Sequence, residues 1–209
     1  MERETQAPWF FRKRFLLFGA VYGVAFFFGN LITPLAGLSR EPAFLSLGNS
    51  SFYALIPIAF AIGGYAVRVW ASSYLAASIV WQQDIQLGEL RVSGPYRFTR
   101  NPLYLGNFLQ AIGIGLLGPW LVTGMLVVLM IAYQLLIISV EERFLEERNG
   151  AAYREYKTSV ARFVPLPWKI APDGGQPGNL WDGLRSEKMT AGFAIFATIV
   201  AIVLTLLRG

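Results

Sequence analysis

Long apolar runs alternate with shorter polar segments along the chain. Five runs have about the length and composition needed to cross a membrane as helices. They span 15–32, a stretch within 52–77, 103–117, 121–140 and 190–207, the third being short. The pattern predicts an all-α integral-membrane bundle of about five transmembrane helices, folded as one domain over 1–209.

The polar segment after the fourth run is dense in charged and aromatic residues. Glu141 and Glu142 follow that run directly, so its helix is expected to continue out of the membrane. Gly150 should interrupt it, and a second short helix is predicted over about 151–161. Prolines at 165 and 167 stop that helix, and 172–179 is a loop.

The first apolar run follows the basic stretch "FFRKR", which leaves two interpretations. A signal peptide also places a basic end before an apolar core. The run is long for a signal core, however, and more apolar runs follow it. These features favour a membrane-spanning helix.

Basic residues are distributed unequally between the two sides of the predicted bundle. The segments before the first run, after the second and after the fourth are rich in Lys and Arg. The other two connections are poor, with only Arg40 in one and none in the 118–120 turn. Since basic loops stay in the cytoplasm, we expect a cytoplasmic N-terminus. The 94–102 and 141–189 segments then share the cytoplasmic face.

Composition supports a membrane protein and narrows the chemistry. Of 209 residues, 55% are hydrophobic and 15% charged, and the mean hydropathy is +0.47. The chain has no cysteine and no histidine, which excludes disulfides, thiolate or histidine metal sites and a Ser-His-Asp triad. Chemistry must rely on carboxylates, Arg, Lys, Tyr, hydroxyls, amides and a bound cofactor, and we expect neither a metal nor a nucleic acid.

The stretch "GPYRFTRNPLYLGN" (94–107) places cations where the third run begins. Asn101 is a helix-capping residue and Pro102 suits the first helical position. One interpretation is a capped membrane helix with interfacial Arg and Tyr anchors. The other is an anion or cofactor site, because Arg97 and Arg100 lie beside the free N–H groups of a helix N-terminus.

Two further motifs also have two interpretations. Gly113 and Gly115 in "GIG" either permit close helix packing or admit a flat ligand. Arg68, within the second run, either extends to the membrane surface or faces the bundle interior with a function. Arg185 and Glu187, before the fifth run, either anchor that helix or reach the site.

Glu141 and Glu142 would end a helix, where the macrodipole disfavours acids. A compensating cation is therefore expected. The candidates are a cationic ligand or the arginines Arg97, Arg100, Arg154 and Arg162. Tyr153 and Tyr156 could add aromatic faces to a cation site.

Taken together, these motifs resemble the isoprenylcysteine carboxyl methyltransferase and phospholipid methyltransferase superfamily. The resemblance rests on "GPYRFTRNPLYLGN", then "GIG", then "EERFLEERNGAAYREYKTSVARFVP" (141–165). It implies a family-like core at about 64–167 with an additional transmembrane helix at about 190–207. It also implies an integral-membrane enzyme that uses S-adenosylmethionine at the cytoplasmic side and methylates a lipid-like or prenylated acceptor entering from the bilayer.

The resemblance also assigns residues. Arg100, Glu142 and Arg162 are expected to be catalytic. The expected cofactor-binding residues are Tyr96, Arg97, Asn101, Pro102, Tyr104, Gly106, Gly113, Gly115, Glu141, Glu142, Tyr153 and Tyr156. Of the two acids, Glu142 is favoured for the cofactor's amino group.

One position departs from the family pattern, because Asn101 stands where the family has histidine. An amide can hydrogen-bond but cannot act as a base at neutral pH. This favours an already ionised acceptor, or a neighbouring base such as Glu142. Two alternatives stay open: a non-enzymatic membrane module or small transporter, and a reductase of the related sterol-reductase type, which the lack of a second cofactor motif disfavours.

Overall fold

A computed structural model describes residues 9–48, 51–75 and 90–208, and these residues are helical with irregular connections. The predicted all-α class is confirmed. Part of the second predicted run, 76–77, lies outside the described residues, as does Arg3. The helices are α1 Trp9–Arg12, α2 Arg14–Leu35, α3 Leu55–Ser72, α4 Pro102–Gly115, α5 Trp120–Asn149, α6 Ala151–Ser159, α7 Leu180–Ser186 and α8 Lys188–Arg208.

Three described stretches are long and apolar enough to cross a membrane alone: Arg14–Leu35, Phe52–Ser72 and Trp120–Asn149. A fourth exists if Leu180–Ser186 and Lys188–Leu204, which meet at a 69° bend, count as one broken span. The predicted third run forms α4, whose 14 residues rise about 21 Å. That is short of the ~30 Å hydrocarbon core. With the broken span counted, α4 accounts for the difference from the expected five.

Helix α4 packs closely on α3 because glycines line their contact. A Cβ on Gly64 would lie 2.5 Å from the Gly106 carbonyl oxygen, and one on Gly113 would lie 2.7 Å from that of Pro57. Such distances leave no room for a side chain. Small residues let membrane helices approach closely, so these glycines determine how near the site helix α4 stands to its neighbour.

The remaining helices surround this pair. Helix α2 packs on α5 through a cluster containing Ala25, Leu126 and Met130. Helix α8 packs on α3 with a stripe of buried alanines at 194, 197 and 201, spaced to lie on one helix face. The result is a bundle whose polar segments, 90–101 and 141–187, gather at one end.

A buried ion pair joins the C-terminal part of the chain to α3. Arg68 donates from Nε and Nη2 to the Glu187 carboxylate at 2.7 and 2.9 Å, and Ser72 donates to the same carboxylate at 2.6 Å. Glu187 is completely buried at the bend between α7 and α8. Arg68 also donates to the Asn107 side chain at 2.8 Å. Arg68 therefore faces the bundle interior, and Glu187 anchors the last helix.

We expect single changes in this pair to destabilise the protein more than a double change. Removing one partner leaves a buried charge uncompensated, which costs about 3–5 kcal/mol in folded proteins, whereas an apolar pair of similar volume is often tolerated. Thermal unfolding in detergent should therefore rank Arg68→Met and Glu187→Met below Arg68→Met/Glu187→Met. A double variant as unstable as the sum of the single variants would show that the two charges are not coupled.

Candidate functional site

The site begins at the turn before α4. Residues Gly94–Arg97 form a 3-10 turn, and Gly94 has φ +59°, a conformation that favours glycine. A Cβ there would also collide with the Tyr74 ring. Pro102 occupies the first turn of α4 as predicted. The expected side-chain cap is not observed, because the Asn101 side chain turns away from the helix to other partners.

Helix α6 brings a second segment against this turn. Gly150 separates α5 from α6 with φ +55°, so the chain reverses there at a residue without a side chain. After α6, Ala161 pairs with Thr99, and the Arg100 amide donates to the Ala161 carbonyl at 2.9 Å. The Thr99 hydroxyl donates to the Phe163 carbonyl at 2.8 Å. These bonds fix 160–163 beside 99–101.

The two segments enclose the carboxylate of Glu142, which is 7% exposed. Arg100 Nε donates to Glu142 Oε1 at 2.8 Å, and Asn101 Nδ2 donates to the same oxygen at 3.0 Å. Arg162 Nε lies 3.1 Å from Oε2. Of the three residues expected to be catalytic, Glu142 thus contacts both of the others, Arg100 and Arg162.

Glu142 has little capacity left for a ligand. A carboxylate has about four acceptor positions, and Arg100 and Asn101 occupy two on Oε1. Oε2 accepts a 3.4 Å hydrogen bond from Arg100 Nη2, and Arg162 Nε is close enough for an ion pair but makes no hydrogen bond. The sequence favoured Glu142 for the cofactor's amino group. In this structure its carboxylate instead holds together the two cations and Asn101.

An open cleft of about 720 Å³ lies against this cluster. Five basic and three acidic residues line it, together with Ser139 and Gly150; the charged ones are Arg100, Glu142, Arg143, Glu146, Glu147, Arg154, Lys157 and Arg162. Glu146 is paired with Lys157 at 2.8 Å, whereas Glu147 is exposed. No group of three or more acidic residues within the described ranges is arranged to hold a metal ion.

Several residues of this cleft were not predicted from the sequence, although the sequence contains a signal for them. Positions 139, 143 and 146 recur at intervals of four and three and so share one face of α5. Reading the polar end of the fourth run for this spacing would have identified Arg143 and Glu146. Arg154 was considered only as a compensating cation for the acid pair, and it lines the same cleft.

The aromatic residues expected near the cofactor are buried elsewhere. Tyr153 and Tyr156 pack in a cluster with Val160 and Ala171, and the Tyr156 hydroxyl donates to the Tyr96 carbonyl at 2.7 Å. Burial raises the pKa of both Tyr153 and Tyr156, so these phenols stay neutral. These two tyrosines therefore hold α6 against the turn before α4 by packing and a hydrogen bond, and they do not line the cleft.

Arg97 and Glu141 also point away from the Glu142 cluster. Arg97 Nε donates to the Ala171 carbonyl at 3.0 Å, and its Nη1 lies 3.8 Å from Asp173. Glu141 accepts a 2.7 Å hydrogen bond from the Tyr104 hydroxyl. Consecutive helical residues lie about 100° apart, which is why the two acids have different partners.

The three glycines expected at the cofactor lie in helix contacts. A Cβ on Gly106 would lie 2.7 Å from the Gly64 carbonyl oxygen, and one on Gly115 would lie 3.2 Å from the Cα of Thr123. Gly113 faces α3 in the same way. Of the two interpretations of "GIG", the structure supports close packing, and it does not bring these residues to the cleft.

We expect the stability of the site to depend on Asn101 being a hydrogen-bond donor. Asn101 Nδ2 donates to both Glu142 and the Arg162 carbonyl. Asn101→Ala should cost about 1–3 kcal/mol. Asn101→Asp should cost more because it adds a second carboxylate, and Asn101→His, which keeps a donor, should cost least. Thermal unfolding in detergent measures this order.

Asn149→Ala provides the control, because the Asn149 amide bonds only to its own helix, at Leu145. It should unfold close to the parent. If Asn101→Asp unfolds at the temperature of the parent, the side chain does not help to hold the two segments together.

Comparison with known proteins gives one match. The phospholipid methyltransferase family model matches residues 53–152, a little under half of the chain. Curated proteins and solved structures give no significant match. The matched range includes the turn before α4, the glycine contact of α3 with α4, and the acid pair at the end of the fourth apolar run. Residues 53–152 therefore match a phospholipid methyltransferase domain, which belongs to the integral-membrane superfamily whose motifs the sequence resembles.

Proposed function

We propose that the protein is an S-adenosylmethionine-dependent methyltransferase that acts on a lipid-like acceptor at the membrane–cytoplasm boundary. The observation that carries the proposal is the cleft beside Glu142. It contains charges of both signs, it adjoins the arginines of the family motif, and it opens where α5 leaves the apolar part of the bundle. Its volume, about 720 Å³, falls within the ~300–1,000 Å³ usual for ligand sites.

The charges of the cleft suit the two ends of this cofactor. Its amino group and sulfonium are cationic and its carboxylate is anionic. Glu147 is the acid that we assign to the cationic end, because Glu142 already accepts three hydrogen bonds and pairs with two arginines, and Glu146 is paired with Lys157. Arg143 and Arg154 line the same cleft and are suited to the carboxylate.

S-adenosylmethionine supplies a methyl group on a positively charged sulfur. Transfer of such a group is an in-line displacement, for which positioning and water exclusion provide much of the rate. In our proposal the contacts among Arg100, Asn101 and Glu142 keep one wall of the cleft rigid, where the turn before α4 meets α5. Arg162, whose side chain is 39% exposed, binds the acceptor.

The acceptor is proposed to be anionic and to approach from the bilayer. The chain has no histidine, and the Asn101 and Glu142 side chains are already bonded to each other, so neither is a free base. An ionised carboxylate needs no proton removed before methylation. Arg162 donates to the Ser139 hydroxyl at 2.8 Å. Ser139 lies on the exposed face of α5 and lines the cleft, so in our proposal one side of the cleft faces lipid.

Cofactor binding tests the proposal and the role of Glu147 together. Calorimetry on the detergent-purified protein should show heat with S-adenosylmethionine. Glu147→Gln should lose a charge-assisted hydrogen bond worth about 1.5–3 kcal/mol, which corresponds to roughly tenfold to hundredfold weaker affinity.

Glu155→Gln is the matched control, because Glu155 is an exposed acid on α6 that does not line the cleft. It should bind like the parent. If Glu147→Gln also binds like the parent, the cationic end lies elsewhere. If the folded parent binds no cofactor, the non-enzymatic membrane module becomes the better interpretation.

We further propose that the cleft faces the cytoplasm, from the distribution of basic residues. The chain has no cysteine, so single cysteines can be labelled selectively in intact cells. Ser39→Cys should react with a membrane-impermeant reagent, and Thr158→Cys, exposed on α6, should react only after permeabilisation. The opposite pattern would reverse the orientation.

A further inference from the structure

An exposed apolar segment, "VPLPWKI" (164–170), lies between two fixed points; we name it the lip. Before it, the Phe163 ring stands 5.7 Å from the Phe108 ring of α4, and the Phe163 carbonyl is bonded to Thr99. After it, Ala171 is buried and its amide donates to the Arg97 carbonyl at 3.1 Å. The lip is therefore held in place at both ends.

The contact with Phe108 determines how deep the lip begins. Phe108 lies six residues after Pro102, which is about 9 Å along α4. The headgroup layer on one side of a bilayer is roughly 5–7 Å thick. If α4 starts at the water-facing edge of that layer, Phe163 lies near the boundary between headgroups and acyl chains, and the lip begins next to it. Ala171 returns it to the polar end of the bundle.

The side chains of the lip suit that boundary. Trp168 is 77% exposed, Val164 61% and Ile170 43%, and tryptophan is enriched at membrane interfaces. Lys169 is a residue that can direct its charge to the headgroups while its stem stays among apolar groups.

The backbone of the lip also reduces the cost of leaving water. Pro165 and Pro167 have no N–H group, and the Lys169 amide donates to the Leu166 carbonyl at 2.9 Å. Fewer unsatisfied donors therefore enter the interface than in an ordinary loop. Irregular backbone exposed to lipid is excluded from the hydrocarbon core, so the boundary is as deep as the lip can lie.

We propose that the lip inserts into the headgroup–acyl boundary of the same bilayer that α4 and α5 occupy. The occupant of its apolar face is lipid, because that face begins at a membrane helix, at Phe108. The lip begins two residues after Arg162, which lines the cleft, so an inserted lip brings lipid close to the cleft. The contact itself does not depend on methyl transfer, and its test is independent of the proposed function.

Site-directed spin labelling in lipid nanodiscs tests this contact. Single cysteines at Val164 and Trp168 carry the label, with two controls of matched exposure. Val128, 65% exposed in the apolar part of α5, reports lipid, and Thr158, exposed on α6, reports water. Labels at 164 and 168 should collide severalfold more with oxygen, which concentrates in lipid, than with a water-soluble nickel chelate. That ratio should approach the value at 128.

A collision ratio like that of 158 would place the lip in water and overturn the proposal. Low collision with both reagents would also overturn it, because the lip would then be covered by protein. Fluorescence of the parent minus that of Trp168→Phe isolates the signal of native Trp168. Lipids with brominated acyl chains should quench this difference signal, and an unquenched signal would contradict the proposal without depending on an introduced label.

Discussion

The arrangement of the site depends on one carboxylate that is withdrawn from water. Glu142 extends from the polar end of a long membrane helix and is 7% exposed. A buried anion is costly unless cations and hydrogen-bond donors compensate it. The compensating groups come from two distant parts of the chain: Arg100 and Asn101 before α4 donate hydrogen bonds, and Arg162 after α6 forms an ion pair. The need to compensate Glu142 therefore requires the chain to fold back across the end of the bundle.

The other features of that end follow from this return. Gly150 allows α6 to reverse direction, and the buried rings of Tyr153 and Tyr156 fasten α6 to the turn before α4. The polar face of α5 is left open between these elements, and the cleft forms there. The same geometry brings Phe163 against the membrane helix α4. The return of the chain therefore produces both the polar cleft and, next to it, the apolar lip.

Much of this fold could be predicted from the sequence, because long apolar runs directly indicate which segments are buried in lipid. The long helices follow those runs; α4 is too short to span alone, and the last run counts as a span only together with α7. The family resemblance predicted the grouping of Arg100, Glu142 and Arg162; the need of adjacent acids for cations predicted arginines near them but not which ones. The direction of each side chain could not be predicted. Tyr153 and Tyr156 are residues that could line a cation site, yet their rings are buried in the cluster that packs α6. Glu187 is 119 residues from Arg68, and no local pattern relates them.

The Arg68–Glu187 pair has a consequence for the order in which the protein is made. Glu187 lies beyond the matched domain, 119 residues after its partner. At about 5–20 residues per second, α3 waits roughly 6 to 24 s in the membrane before the carboxylate that neutralises its arginine is synthesised. Asn107 and the Leu103 carbonyl arrive sooner and can bond to Arg68 in the meantime. Insertion of the last helix is then the step that completes charge compensation, so a ribosome that stops before Glu187 leaves an unpaired charge in the membrane.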